Sequence, residues 1–287
     1  MISSPMRSKI AAAFAAAALC LSAAGAGAIE FKVTDELADA VIARTSAKTD
    51  YQKLAESQWR LTAEKNRIFA DHIRELTTSR DFIRYLLEQG QQAGLFDSND
   101  PEEIRKATVP LTFALMQSLG VKGFARLSPA DQRTIVRYNR LQVENAPNGR
   151  VCRAMQLGTE DATAGEVHQA SRELMLLLPA GFLKSYLAAF RRAVAAEIRD
   201  DPPVRSLTPT QRELAEKAVE RAVEKELEGM PARELGRLLI ALDDIEGAPP
   251  DDFCGGVKLI YRSYDRLSGV LGEWARADLF LKNRGEP

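Results

Sequence analysis

Residues 49–76 read TDYQKLAESQWRLTAEKNRIFADHIREL, and this stretch decides the fold class. Leu54, Leu61, Ile68, Phe69, Ile73 and Leu76 recur with a period of about 3.5 to 3.6 residues, the spacing that lines one face of an α-helix. The intervening positions are mostly Lys, Arg, Glu, Gln and Thr. The pattern predicts one long two-faced helix that begins near Thr49 and lies across a bundle.

Working outward, the same grammar repeats. Upstream, Thr34-Asp35-Glu36 is a helix start with acidic residues in its first turn, followed by Leu37, Ala40 and Val41 on one face. Downstream, Ser79 opens a helix with Phe82, Tyr85 and Leu86 inward and Gly94 as its stop. Asp100-Pro101-Glu102-Glu103 combines an N-cap acceptor, proline at the first helical position and glutamate three residues after the cap. Pro110 is expected to kink or split that helix before it ends at Gly120. Leu127-Ser128-Pro129-Ala130-Asp131 and Leu207-Thr208-Pro209-Thr210-Gln211 share one order: hydrophobe, hydroxyl cap, proline, any residue, acceptor. Between these two starts lie a helix over residues 162–178 and another opened by Pro179, with Leu183, Leu187, Phe190, Val194 and Ile198 inward.

Asn148-Gly149 reads as a turn between helices. The helix from Pro209 is heavily charged, with a narrow stripe of Leu214, Ala218, Ala222 and Leu227. Pro231 starts a leucine-rich helix carrying Leu235, Leu238, Leu239, Leu242 and Ile245, and Gly247-Ala248-Pro249-Pro250 breaks it. A last helix follows Cys254, with Val257, Ile260, Tyr261, Tyr264, Leu267, Leu271 and Trp274. No stretch alternates with period two over more than four residues. The expected fold is therefore all-α, an irregular bundle of about nine or ten helices. Asp200-Asp201-Pro202-Pro203 divides residues 29–200 from residues 201–287, read as a second helical lobe packed on the first. Pro147 and Pro249 each lie five residues before a cysteine, and Leu157 and Leu259 five after it. A degenerate duplication and the ordinary recurrence of Ser/Thr-Pro helix starts both fit this spacing.

Residues 1–28 read as an address rather than as structure. Arg7 and Lys9 precede a stretch from Ile10 to Ala24 with Ser22 as its one polar side chain, and Ala26 and Ala28 then supply an Ala-x-Ala site. That order is a Sec-type signal peptide cleaved after Ala28. The alternative, an uncleaved anchor, is disfavoured by an alanine-rich core. Cys20 follows Leu19 and fits a lipidation site poorly. The reading places the protein in the periplasm or outside a bacterial cell.

Composition sets limits. The 287-residue chain is 45% apolar, 28% charged and 7% aromatic, too charged for a multi-spanning membrane protein and too apolar for a disordered one. Thirty-nine basic residues face 40 acidic ones, so there is no field for nucleic acid. Of the three cysteines, Cys152 and Cys254 remain after the signal, and an even pair in an oxidising compartment predicts one disulfide. Closing a loop of about 100 residues gives about 4 to 5 kcal/mol in the chain-entropy model, an upper figure.

Motifs for chemistry are few. The two histidines, His72 and His168, lie in no metal-ligand spacing; His72 with Glu75 shares a helix face, but His72 also flanks the apolar stripe. There is no Gly-x-Ser-x-Gly elbow, and Ser171 three residues after His168 is commonplace. Gly255-Gly256 before a helix could offer N–H groups to an anion, yet nothing completes a nucleotide site. No cofactor, metal or catalytic residue is assigned. Asp243-Asp244 with Glu246, and Asp251-Asp252, leave open a glycan hydrolase that works with two carboxylates. A third reading is a carrier of an apolar ligand, with Met155, Met175 and Leu176 lining a pocket. Phe253, Tyr261, Tyr264 and Trp274, with Phe280, crowd the end of an aromatic-poor chain and form the candidate protein interface. The expectation is an exported, non-enzymatic helical protein that binds a protein partner in the cell envelope as an adaptor, inhibitor, chaperone-like or immunity-type module. It has no nucleic-acid partner, and it touches a membrane only through an uncleaved signal.

Overall fold

A computed structural model describes residues 32–96 and 100–284. The segment read as a signal peptide, with Cys20, lies outside the described residues. The described residues contain no strand and form thirteen α-helices with one 3₁₀ turn. They are α1 (Asp35–Lys48), α2 (Tyr51–Trp59), α3 (Ala63–Thr77), α4 (Arg80–Gln92), α5 (Pro101–Gly123), α6 (Pro129–Glu144), α7 (Gly149–Leu157), α8 (Ala164–Leu177), α9 (Ala180–Arg199), α10 (Pro209–Leu227), α11 (Ala232–Asp243), α12 (Pro250–Arg266) and α13 (Gly269–Arg284). The all-α expectation holds, but the helix count exceeds nine or ten for three local reasons.

First, residues 49–76 form two helices rather than one. Arg60 takes a left-handed conformation with φ of 47°, which ends α2. Thr62 then caps α3, its side chain accepting from the Lys65 N–H at 3.4 Å. The Asn66 amide pins the turn from both sides: its Oδ1 accepts from the Leu61 N–H and its Nδ2 donates to the Leu61 carbonyl, each at 3.1 Å. The two halves fold back as a pair, with Trp59 stacked on Phe69 at 5.0 Å. Second, Asn148-Gly149 is not a loop. Asn148 is the N-cap of α7, accepting from the Val151 N–H at 3.0 Å. Third, the last helix is two. Its first part, α12, begins at Pro250, ahead of Cys254, so Gly255-Gly256 lies inside a helix and offers no free N–H cradle. A break at Leu267–Ser268 separates α13, where Gly269 adopts φ of +61°. Pro110 does not split its helix: α5 is a single segment from Pro101 to Gly123.

The chain divides into two compact units. The first comprises residues 32–126 with Phe190–Pro203. Here α1 packs on α4 and α5 around a core that includes Val41, Phe82, Leu86, Leu87, Ile104, Leu119 and Val194. This unit also buries a cation. The Arg126 guanidinium donates to Glu197 at 3.0 Å and to the Pro202 carbonyl at 2.8 Å, and it pairs with Asp200. We call it the charge unit.

The second comprises residues 127–189 and 204–284, and we call it the cysteine unit. Its organising element is α12, which packs on α6, α7, α10, α11 and α13. Cys152 and Cys254 stand at disulfide distance, with Cα atoms 5.9 Å apart, in a cluster with Val143, Ala241, Ala248, Phe253 and Val257. Gly255 and Gly256 set the approach of α11 to α12. A Cβ at Gly255 would come within 2.7 Å of Leu238, and one at Gly256 within 2.5 Å of Ile245.

Candidate functional site

The aromatic residues read as an interface do not share an exposed face. Phe253 is 1% exposed and sits in the cysteine cluster, with the Arg153 guanidinium 5.7 Å above its ring. Tyr264 is 8% exposed and Phe280 1%. Tyr261 is half-buried, its hydroxyl donating to Gln156 Oε1 at 3.3 Å, and Trp274 is half-buried too. Burial pushes the Tyr261 phenol up to about 12 and the Tyr264 phenol further. The physical reason is the position of α12. A helix surrounded by five others turns most of its circumference inward, so its aromatics are packing, and Phe253 and Tyr264 present nothing to a partner.

The exposed apolar surface lies instead on the neighbouring helix. Leu238 and Ala241 face α12 and are buried, whereas Leu239 is 50% exposed and Ile240 76%. Gly236, Leu239, Ile240 and Asp243 follow one another at three- and four-residue spacing, so they form one outer face, with Arg233 at its start. The signal was present in the sequence. Leu238-Leu239-Ile240-Ala241-Leu242 is five consecutive apolar residues on a helix, and at 100° per residue such a run encircles it. One side can pack on α12; the other has to face outward. A smaller exposed pair, Leu176 and Leu177, ends α8.

Three of the five acidic residues weighed as catalysts have structural partners. Asp251 Oδ1 accepts the Gly149 N–H at 3.1 Å, tying the start of α7 to the start of α12. Asp252 pairs with Arg237 at 3.0 Å. Asp244 Oδ1 accepts the Gly247 N–H at 3.2 Å, closing the turn after α11. Asp243 is exposed and Glu246 half-buried. His72 is 6% exposed, with its Nδ1 3.2 Å from Arg191 Nη1 and its ring edge-on to Phe69 and Phe190. Glu75 pairs with Arg191 at 2.8 Å. Ser171 donates its hydroxyl to the Val167 carbonyl, and His168 is exposed. Among the described residues no three His, Cys, Asp or Glu side chains gather where a metal ion could sit. No described helix is long and apolar enough to cross a membrane.

A shallow cleft of about 380 Å³ opens between the start of α7 and one face of α8. Pro147, Val151 and Ala170 form its apolar part, and Glu166, Gln169 and Glu173 its polar part. Met155, Met175 and Leu176 do not line it: Met175 is buried, Met155 half-buried and Leu176 exposed.

No protein family model, curated protein or solved structure matches the chain.

Proposed function

We propose that the protein is an exported, non-enzymatic helical module of the bacterial cell envelope that binds a protein partner through the outer face of α11. One observation carries the reading: Ile240 and Leu239 project from a helix whose opposite face is packed. Fully covering an aliphatic side chain of this size contributes about 1.5 to 3 kcal/mol, so the pair suffices for the centre of a small interface. Arg233 and Asp243 at the ends of the same face supply the polar rim that such interfaces have. Export is supported by residues 1–28 and by a cysteine pair poised for oxidation.

The test uses the mature chain with a photo-crosslinking residue at Gly236, irradiated in envelope extract. A discrete crosslinked partner is expected. It should disappear when Leu239→Ser and Ile240→Asp are introduced together, with far-UV circular dichroism unchanged. A crosslink that persists in the double variant removes α11 as the contact surface.

A further inference from the structure

We propose that Arg153 and Asp251 are positioning residues for oxidation of the cysteine pair: they dock α7 on the start of α12 without help from sulfur, and so template the Cys152–Cys254 bond. Two polar ties bracket the thiols. On one side, Asp251, three residues before Cys254, accepts the N–H of Gly149, three residues before Cys152, at 3.1 Å. The fit there is close, since a Cβ on Gly149 would lie 2.5 Å from backbone atoms of Pro250 and Asp251. On the other side, Arg153, the residue after Cys152, forks onto the loop that leads into α12. Its Nη1 donates to the Ala248 carbonyl at 2.7 Å and its Nη2 to the Glu246 carbonyl at 2.6 Å. The same guanidinium covers the ring of Phe253, the residue before Cys254, and pairs with Asp161 at 3.5 Å.

All these contacts are available to the dithiol, and together they fix a 5.9 Å Cα separation, inside the range of about 4.4 to 6.8 Å that a disulfide spans. Docking also seals the site, leaving Cys152 0% and Cys254 4% exposed. The order of events follows. One thiolate exchanges with a small disulfide oxidant, such as glutathione disulfide, before α7 docks. Docking then drives the second thiolate onto the mixed disulfide. The protein loses two protons and two electrons, and the oxidant takes them up and leaves as two thiols. The buried bond is thereafter shielded from reductants, which makes it a structural link rather than a redox switch.

The experiment is independent of any partner. The reduced full chain is equilibrated anaerobically in glutathione buffers, trapped with an alkylating agent and counted by intact mass. The ratio of bridged to open protein gives the effective concentration of one thiol at the other. Arg153→Ala and Asp251→Ala should each lower it about tenfold or more, because preorganisation is lost. Asp251→Asn keeps an acceptor oxygen and should stay within about threefold of the parent. Tyr138→Phe, a remote change in the same unit, should leave it unaltered. Equal losses at Tyr138 and Arg153, or no loss at Arg153 and Asp251, overturn the proposal. Should the alanine variants fail to fold, Cys152→Ala with Cys254→Ala decides. Hydrogen exchange in α7 stays protected if the ties dock the helix, and protection is lost if the bond does.

Discussion

The two units solve the same packing problem with different interior chemistry. Both are irregular sets of helices between 9 and 23 residues long, and both have aliphatic cores. The cysteine unit adds a sulfur pair and four tyrosines. Tyr138 stacks on Tyr186 with ring centroids 3.6 Å apart, and Tyr261 and Tyr264 pack within α12. The charge unit has no cysteine in residues 32–126 or 190–203. It draws α9 to its interior through Arg126, held by two carboxylates and a carbonyl, and through Arg191, set between His72 and Glu75. The cysteine unit buries a guanidinium too, Arg276, but answers it with the Tyr264 and Leu267 carbonyls at the end of α12. Aliphatic burial is directionless, so short helices need specific ties to fix one arrangement. Buried phenols and a cysteine pair in one unit, and a guanidinium held by two carboxylates inside the other, make the two sensitive to different insults.

Alkali should produce the largest difference. An unfolded tyrosine ionises near pH 10. Burial pushes Tyr138 and Tyr261 up to about 12, and Tyr186 and Tyr264 higher still, so the fold favours their neutral forms. The resulting stability is fully present below about pH 10 and is lost as the pH rises through about 12. Four such phenols in one unit make the alkaline loss large against the marginal stability of a domain. The charge unit has one such group, Tyr85, raised by burial and then by Glu197 and Glu88. Each unit carries one tryptophan, Trp59 in the charge unit and Trp274 in the cysteine unit. Fluorescence of Trp59→Phe and Trp274→Phe variants therefore reads them separately. The Trp274 signal should change at lower alkaline pH than the Trp59 signal; the reverse order breaks the comparison.

Arg126→Met probes the other side. Arg126 has 7% of its surface exposed, and removing it takes the guanidinium from Glu197, whose side chain is 12% exposed. Breaking a buried pair from one end costs about 3–5 kcal/mol. Urea unfolding followed by Trp59 should shift by that amount, with the Trp274 transition nearly unmoved. A loss below about 1 kcal/mol would make Arg126 a surface-type pair and erase the distinction.

Helix type and most helix starts were legible in the sequence because they depend on neighbours three or four residues away. Thr34, Ser79, Asp100, Ser128 and Thr208 all accept the capping N–H expected of them. What escaped was decided by contacts far along the chain or by single dihedrals. The break at Arg60 rests on one left-handed residue inside an unbroken apolar period. The α7 helix is nine residues long and too short to announce itself by periodicity; its partner Asp251 lies 102 positions away. The aromatic cluster was visible, but whether it faced in or out depended on how many helices surround α12. The five-residue apolar run in α11 was the one surface signal that local reasoning could have used.

The smallest effect tests whether the units differ in their interiors alone. Thr34 caps α1 in the charge unit and Thr208 caps α10 in the cysteine unit, each side chain accepting a backbone N–H at 3.2 Å. An N-cap acts on the first turn of its own helix, so its worth does not depend on what ties the core together. Thr34→Ala should cost about 1 kcal/mol in the Trp59 transition, and Thr208→Ala about the same in the Trp274 transition. Thr208 has one added contact, its own N–H donating to Gln211 at 2.9 Å, but alanine at that position keeps it. The two costs should thus agree to within about 0.5 kcal/mol. Agreement confines the contrast between the units to phenols, sulfur and the cluster around Arg126. A cost at Thr34 several times larger would mean that the start of α1 carries packing load as well, and the charge unit would then depend on its helix ends in a way the cysteine unit does not.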